Sequence, residues 1–85
     1  MQDSVVIVTL RTEGFCRDFE LPSNVALGEL CPRLLAVLQK ASGRIFGTWT
    51  GIILGTDQGL MLDKTATLLD YGICTGAYLS VRQEG

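Results

Sequence analysis

Residues 68–81 read LLDYGICTGAYLSV, and this stretch decides how the chain closes. Thr67 stands where it can cap a single helical turn, and Gly72 is placed to end that turn. The alternation that follows predicts a final strand, with Leu79 and Val81 facing a core and their neighbours facing away. The stretch therefore predicts a helical turn, a glycine-containing turn and a closing strand.

The preceding sequence predicts two β-hairpins. Short runs rich in β-branched and aromatic residues, separated by glycine-containing turns, are typical of strands joined by tight turns. The first pair of predicted strands covers 4–11 and 15–21, and the second pair covers 49–54 and 60–62, with a turn at 55–59.

One helix is predicted between the hairpins. Apolar residues recur with the spacing of one helical face, at Leu27, Leu30, Cys31, Leu34, Leu35 and Leu38. Pro32 weakens the first turns, so we expect an irregular start near residue 27, and we expect Gly43 just past the end. Hairpin, helix, hairpin and strand predict an α+β fold in which one mixed sheet packs on one helix, as a single domain over 1–85.

Composition narrows the range of functions. The chain has 85 residues, of which 47% are hydrophobic and 19% charged, so it suits one packed domain. No apolar run approaches the length of a membrane span, and the sequence shows no signal peptide. We therefore expect a cytoplasmic protein without direct membrane insertion.

Charge and residue types disfavour nucleic acid, metals and catalysis. The net charge is −2, and the seven basic residues are scattered, so no basic stripe faces a nucleic acid. The chain has no histidine, and Cys16, Cys31 and Cys74 fit neither a disulfide framework nor a metal site. We expect three reduced thiols, no catalytic residues, no metal and no cofactor.

Three motifs carry a resemblance to a known family. TLLDYGICTGAYLSV at 67–81 resembles the segment that leads through the last strand of ubiquitin. DFELPSNVALGELCPRLLAVL at 18–38 is similar to the strand-to-helix junction of YukD/EsaB proteins and of the N-terminal domain of EccD membrane proteins. The third motif is a carboxyl-terminal Leu-x-x-x-Gly-Ile-x-x-Gly pattern, which resembles these proteins through Leu68 or Leu69, Gly72, Ile73 and Gly76. Residues 39–50 resemble no particular segment of them. The resemblance implies a ubiquitin-like β-grasp fold and an accessory role in bacterial type VII secretion.

The tail departs from ubiquitin and the sulfur carriers, which act through an extended pair of glycines. Here Arg82, Gln83 and Glu84 precede one glycine, Gly85. Bulk and charge beside that glycine oppose threading into an adenylating enzyme, so we expect an unreactive tail. Two alternatives stay open: a covalent modifier or sulfur carrier acting through Gly85, and an excised domain of a larger EccD-like membrane protein.

One sheet face stays uncovered if a single helix packs on the other. By alternation, Ile7, Ile53, Tyr78 and Arg82 share this face, where they would form a modest apolar patch with a polar rim. Scattered apolar residues on a surface are also normal and need no partner. We identify the four as candidate protein-binding residues, with components of the secretion machinery as the expected partners.

Overall fold

The computed structural model describes residues 4–84 and contains a four-stranded mixed sheet. In chain order the elements are β1 (Val5–Thr12), β2 (Phe15–Pro22), α1 (Leu27–Ala41), α2 (Gly43–Phe46), β3 (Ile52–Thr56) and β4 (Tyr78–Gln83). The strands lie in the order β2-β1-β4-β3. The central pair, β1 and β4, is parallel, and both outer pairs are antiparallel. The predicted α+β architecture is confirmed.

The first hairpin forms as the sequence predicts. Val5 pairs with Pro22 at its open end, and Thr12 pairs with Phe15 beside the turn. Gly14 has a φ of 77°, a conformation that residues with a side chain adopt rarely. Val8 and Leu10 are fully buried on the face of the sheet that meets α1.

Helix α1 starts at the predicted residue and buries its apolar stripe against the sheet. The expected irregular start is wrong, because the helix is continuous from Leu27 through Pro32. Its buried residues are Leu27, Leu30, Cys31, Leu34, Leu35 and Leu38. The first turn is anchored to a later loop, because Leu27 N–H donates to Ala66 O at 2.9 Å and Gly28 N–H donates to Lys64 O at 2.8 Å. A Cβ on Gly28 would lie 3.2 Å from that Lys64 oxygen, so the close approach favours glycine.

The connection after α1 differs from the prediction. No helix was predicted there, yet α2 forms, starts at Gly43 and buries Phe46 completely. Phe46 packs edge-on against Phe15 and Trp49, with ring centroids 5.0 and 4.8 Å apart. The aromatic contacts stabilise a helix too short to form alone.

The second hairpin is reduced, which corrects the predicted bounds. The third strand begins at Ile52 rather than at residue 49, because Trp49 N–H bonds Phe46 O in the helical connection. It also runs to Thr56, into the predicted turn. The predicted strand at 60–62 is a single bridge between Met61 and Gly55.

The closing stretch forms as predicted. Thr67 and Asp70 cap the helical turn reciprocally: Asp70 N–H donates to Thr67 Oγ1, and Thr67 N–H donates to Asp70 Oδ2, both at 3.0 Å. Leu68 is fully buried, and its carbonyl accepts from Ile73 N–H at 3.1 Å. Gly72 has a φ of 68° and ends the turn. The chain is thereby directed into β4, whose inward residues complete the core.

Candidate functional site

The outer face is the side of the sheet opposite α1. Directly paired residues share a face, and residues alternate along each strand, so the strand register defines this surface. Its residues are Val5, Ile7, Thr9 and Arg11 on β1, Cys16, Asp18, Glu20 and Pro22 on β2, Tyr78, Ser80 and Arg82 on β4, and Ile53 and Gly55 on β3. No helix of the described chain packs over it, since α1 buries its stripe against the opposite face.

All four residues chosen from the sequence lie on the outer face, but not as one patch. Ile53 pairs directly with Arg82. Ile7 lies towards the other end of the sheet, where its carbonyl accepts from Gly76 N–H at 2.8 Å. Measured along the strands, Ile7 and the Ile53–Arg82 pair are six residues apart, which is a distance of about 20 Å. The expected patch is therefore two separate groups.

The first group surrounds Tyr78. Ile7 is 46% exposed and Tyr78 is 49% exposed, and Val5 is similarly open. Tyr78 lies opposite Thr9, and the Arg11 guanidinium carbon lies 5.0 Å from the centroid of its ring. Such a cation–π contact orders both side chains while leaving them accessible.

Sequence reasoning missed Arg11 as a site residue. Alternation continues from Val5, Ile7 and Thr9 to Arg11, so the period of the strand could have indicated its face. Its position above Tyr78 could not be read from the sequence, because it depends on the parallel pairing of the first and last strands.

The second group lies at the other end of the face. Ile53 is half-buried beside Arg82, and Met61 is exposed nearby over Gly55. A Cβ on Gly55 would lie 3.0 Å from Ser80 Oγ and 3.6 Å from Met61 Sδ. Gly55 therefore provides the space in which the segment at 60–62 crosses the edge of the sheet.

The charges on the outer face are separated. Asp18 and Glu20 lie on the edge strand β2, whereas Arg11 and Arg82 lie on the two central strands. Thr9 Oγ1 donates to Asp18 Oδ1 at 2.6 Å, which fixes one carboxylate. A partner that covers this face meets an acidic edge beside a basic centre.

The described residues offer little for covalent or metal chemistry. Residues 4–84 contain no group of three His, Cys, Asp or Glu side chains that could hold a metal ion. Burial raises the pKa of the Cys31 thiol, which lowers its reactivity. Cys16 and Cys74 are exposed, and Cys74 Sγ donates to Gly72 O at 3.4 Å.

The C-terminal segment lies against the body of the protein as far as Glu84. Its N–H donates to Gly51 O at 3.0 Å, and its carboxylate forms an ion pair with Lys64. These contacts hold Glu84 beside the start of β3. Gly85, the residue of the covalent alternative, lies outside the described residues.

One family model matches almost the whole described chain. The family model described as "WXG100 protein secretion system (Wss), protein YukD" matches residues 5–81. No curated protein matches the chain in sequence. Within residues 4–84, no helix has the length and apolar character to cross a membrane.

Similar folds occur among solved structures of secretion proteins. The ubiquitin-like domain of the type VII secretion system protein ECCD1 of Mycobacterium tuberculosis is 22% identical, with a TM-score of 0.78 over 92% of this chain and 97% of that one. The EccD5 ubiquitin-like domain from Mycobacterium xenopi is 14% identical, with a TM-score of 0.80 over 95% and 96%. A chain of the MycP5-free ESX-5 inner membrane complex is 23% identical, with a TM-score of 0.78 over 95% of this chain and 21% of its own length. These similarities establish the ubiquitin-like fold.

Proposed function

Because the chain belongs to the YukD family of the WXG100 protein secretion system, we propose that it is a non-catalytic ubiquitin-like module that docks onto protein components of a type VII secretion system. It does so through the outer face. The module acts in the cytoplasm at the periphery of the membrane complex, and its 85 residues form one domain.

The observation that carries this proposal is the half-exposed Tyr78 beneath Arg11 on an uncovered sheet. Tyrosine and arginine are enriched among the residues that dominate protein interfaces. Both side chains are already ordered by their mutual contact, which reduces the entropy lost on binding. Ile7 adds apolar surface beside them.

Two kinds of similarity support the partner class. The family model describes a secretion-system protein, and one of the similar folds belongs to a chain of an inner membrane secretion complex. The present chain spans 21% of the length of that chain. The similar folds are thus a domain of the secretion system protein ECCD1 and part of a longer chain in an inner membrane complex.

The test separates the two groups of the outer face. A tagged chain would be incubated with a detergent extract of membranes from the source organism, and recovered secretion-system proteins would be quantified by mass spectrometry. Tyr78→Ala should lower their recovery about tenfold, as expected for a central contact residue. Ile7→Ser should lower it less, and Ile53→Ser reports on the other end of the face.

Leu69→Ser is the matched control, because Leu69 is 61% exposed and does not belong to the outer face. Each variant would first be unfolded in urea to show that its stability is retained. Recovery that is unchanged in Tyr78→Ala, Ile7→Ser and Ile53→Ser alike would overturn docking through this face.

The two alternatives predict different observations. A covalent modifier or sulfur carrier would gain mass at Gly85 when incubated with an activating enzyme and ATP, whereas the proposed module would keep its mass. The contacts of Glu84 with Gly51 and Lys64 support the second outcome, because they hold the tail against the body. An excised EccD-like domain would be followed by hydrophobic spans further along the source reading frame.

A further inference from the structure

Strand β2 is an open edge of the sheet, whereas the opposite edge is partly covered. The strand order places β2 and β3 at the two edges. Next to β3, Leu62 N–H donates to Leu54 O and Thr56 N–H donates to Leu60 O, both at 2.9 Å. No segment of residues 4–84 pairs with the outer side of β2.

The register identifies the backbone groups that are free along this edge. Ser23 N–H donates to Ser4 O at 2.9 Å, next to the terminal strand pair. Ser4 and Ser23 therefore form a hydrogen-bonded pair. Because bonded and non-bonded pairs alternate along an antiparallel ladder, Cys16, Asp18 and Glu20 belong to non-bonded pairs, and their N–H and C=O groups point away from β1. They can pair with an added strand. Pro22 has no N–H and limits that pairing to the segment before it.

An apolar groove lies beside this edge. It has a volume of about 230 Å³ and separates β2 from α1. Phe19 and Leu21 line it from the strand, and Leu34 and Val37 line it from the helix. Val37 is 49% exposed, whereas Leu21 and Leu34 are almost fully buried. Alternate side chains of a strand added to β2 would enter this groove, since they share the inner face with Phe19 and Leu21.

The other side chains of an added strand would meet carboxylates. Asp18 and Glu20 lie on the outer face of β2, and neither forms an ion pair within residues 4–84. At the groove, Arg33 is engaged with Glu29 at 3.3 Å, so that rim is neutralised. Opposite charges directly across a strand pair are favourable. The positions of the added strand that lie opposite Asp18 and Glu20 therefore favour lysine or arginine.

A second copy of this chain is a poor occupant. The antiparallel pairing of two β2 strands that uses all three free amides would place Asp18 of one copy opposite Asp18 of the other. Like charges directly opposite each other destabilise a strand pair. Charged residues and a proline on the edge also oppose unselective self-association.

We propose that β2 and α1 capture an extended segment of a partner protein in which apolar residues alternate with lysine or arginine. The segment adds a fifth strand next to β2. Its apolar side chains enter the groove beside Phe19 and Leu21, and its basic side chains pair with Asp18 and Glu20. Asp18 and Glu20 pair with Thr9 and Ile7, so this surface adjoins the Tyr78 group. The backbone edge of β2 and the groove contain neither Tyr78 nor Arg11, so the inference does not rest on the proposed docking through Tyr78.

The experiment uses a capped peptide of about eight residues in which valine and lysine alternate, long enough to form one strand. Backbone amide NMR with the full chain should show the largest changes at Cys16, Asp18 and Glu20. The amides of these residues should exchange quickly in the free protein and slowly in the complex. An alternating valine–glutamate peptide and a peptide with all lysines before all valines serve as controls and should bind more weakly.

Two sets of variants separate charge from groove. Asp18→Asn with Glu20→Gln keeps shape and hydrogen bonding, and it should weaken binding of the valine–lysine peptide about fivefold by removing two exposed ion pairs. Val37→Ser should weaken it by a similar factor while changing no charge. Leu60→Ser, at an exposed residue beside the opposite edge of the sheet, should leave it unchanged.

The proposal would be overturned by amide changes confined to β3 and β4, by equal binding of the acidic peptide, or by full binding of the valine–lysine peptide to the Asp18→Asn, Glu20→Gln variant. Slow exchange of the β2 amides that depends on protein concentration without peptide would show self-pairing instead, and would also overturn it.

Discussion

Truncation of Leu68 should be among the most damaging substitutions in the chain. Its side chain is 0% exposed, and the neighbouring backbone is fixed by hydrogen bonds from Tyr71 and Ile73 to its carbonyl. Leu68→Ala removes three carbons from the core, worth about 2.4 kcal/mol at roughly 0.8 kcal/mol each. Because the fixed backbone limits collapse around the gap, a cavity term adds to this. The expected loss is about 3 to 4 kcal/mol of unfolding free energy.

The assay is equilibrium urea unfolding followed by circular dichroism and by Trp49 fluorescence. Leu69→Ala provides a matched control, because Leu69 is the adjacent leucine and is 61% exposed. It should change the unfolding free energy by less than about 0.5 kcal/mol. Leu68→Met nearly conserves volume and should cost less than about 1.5 kcal/mol.

Equal losses in Leu68→Ala and Leu69→Ala would refute the reasoning, since they would show that burial does not distinguish the two leucines. Complete unfolding of Leu68→Ala would agree with a large cost, and Leu68→Met would then provide the measurable value. A small loss for Leu68→Ala at an unchanged urea slope would also contradict the expected cavity.

Two further predictions concern titration and reactivity. Hydrogen bonds from the Thr65 backbone N–H, and secondly from the Thr65 hydroxyl, lower the pKa of Asp63 below its ordinary value of 3.8. The ionised Asp63 therefore stabilises the folded state above that value, and this stabilisation is lost as pH falls through the lower pKa of the folded state. Asp63→Asn should therefore flatten the fall in urea midpoint at acid pH, and an unchanged profile would contradict this. Iodoacetamide should alkylate Cys16 and Cys74 in the folded protein and Cys31 only in urea, because burial protects the Cys31 thiol and raises its pKa. Intact-mass measurement shows the number of adducts. Rapid labelling of all three cysteines in the folded protein would contradict the buried position of Cys31.

The elements predicted best are those whose signals are local and mutually consistent. The hairpin at 4–21 combines alternation with a glycine turn, and α1 has an apolar stripe that repeats over its whole length. The prediction failed for α2 and for the strand at 60–62. Phe46 stabilises its short helix through Trp49 and Phe15. Phe15 lies 31 residues before Phe46 in sequence, so no local pattern contains that contact.

The candidate site was predicted only in part. Alternation placed Ile7, Ile53, Tyr78 and Arg82 on one face, because a strand has a period of two. Alternation could not show that Ile7 lies about 20 Å along the strands from the Ile53–Arg82 pair, since that distance depends on the register between strands.

The buried stripe of α1 and the inward faces of β1 and β4 follow from the sequence alone, because hydrophobic period is a property of neighbouring residues. The sequence also determined the closing turn at 67–72, where Thr67 and Asp70 can satisfy each other over three residues. Tertiary structure alone decided the contact between Arg11 and Tyr78, the open edge of β2 and the groove beside it. These features arise when the last strand inserts beside the first, and the energy that fixes this pairing is distributed over contacts between residues far apart in the chain.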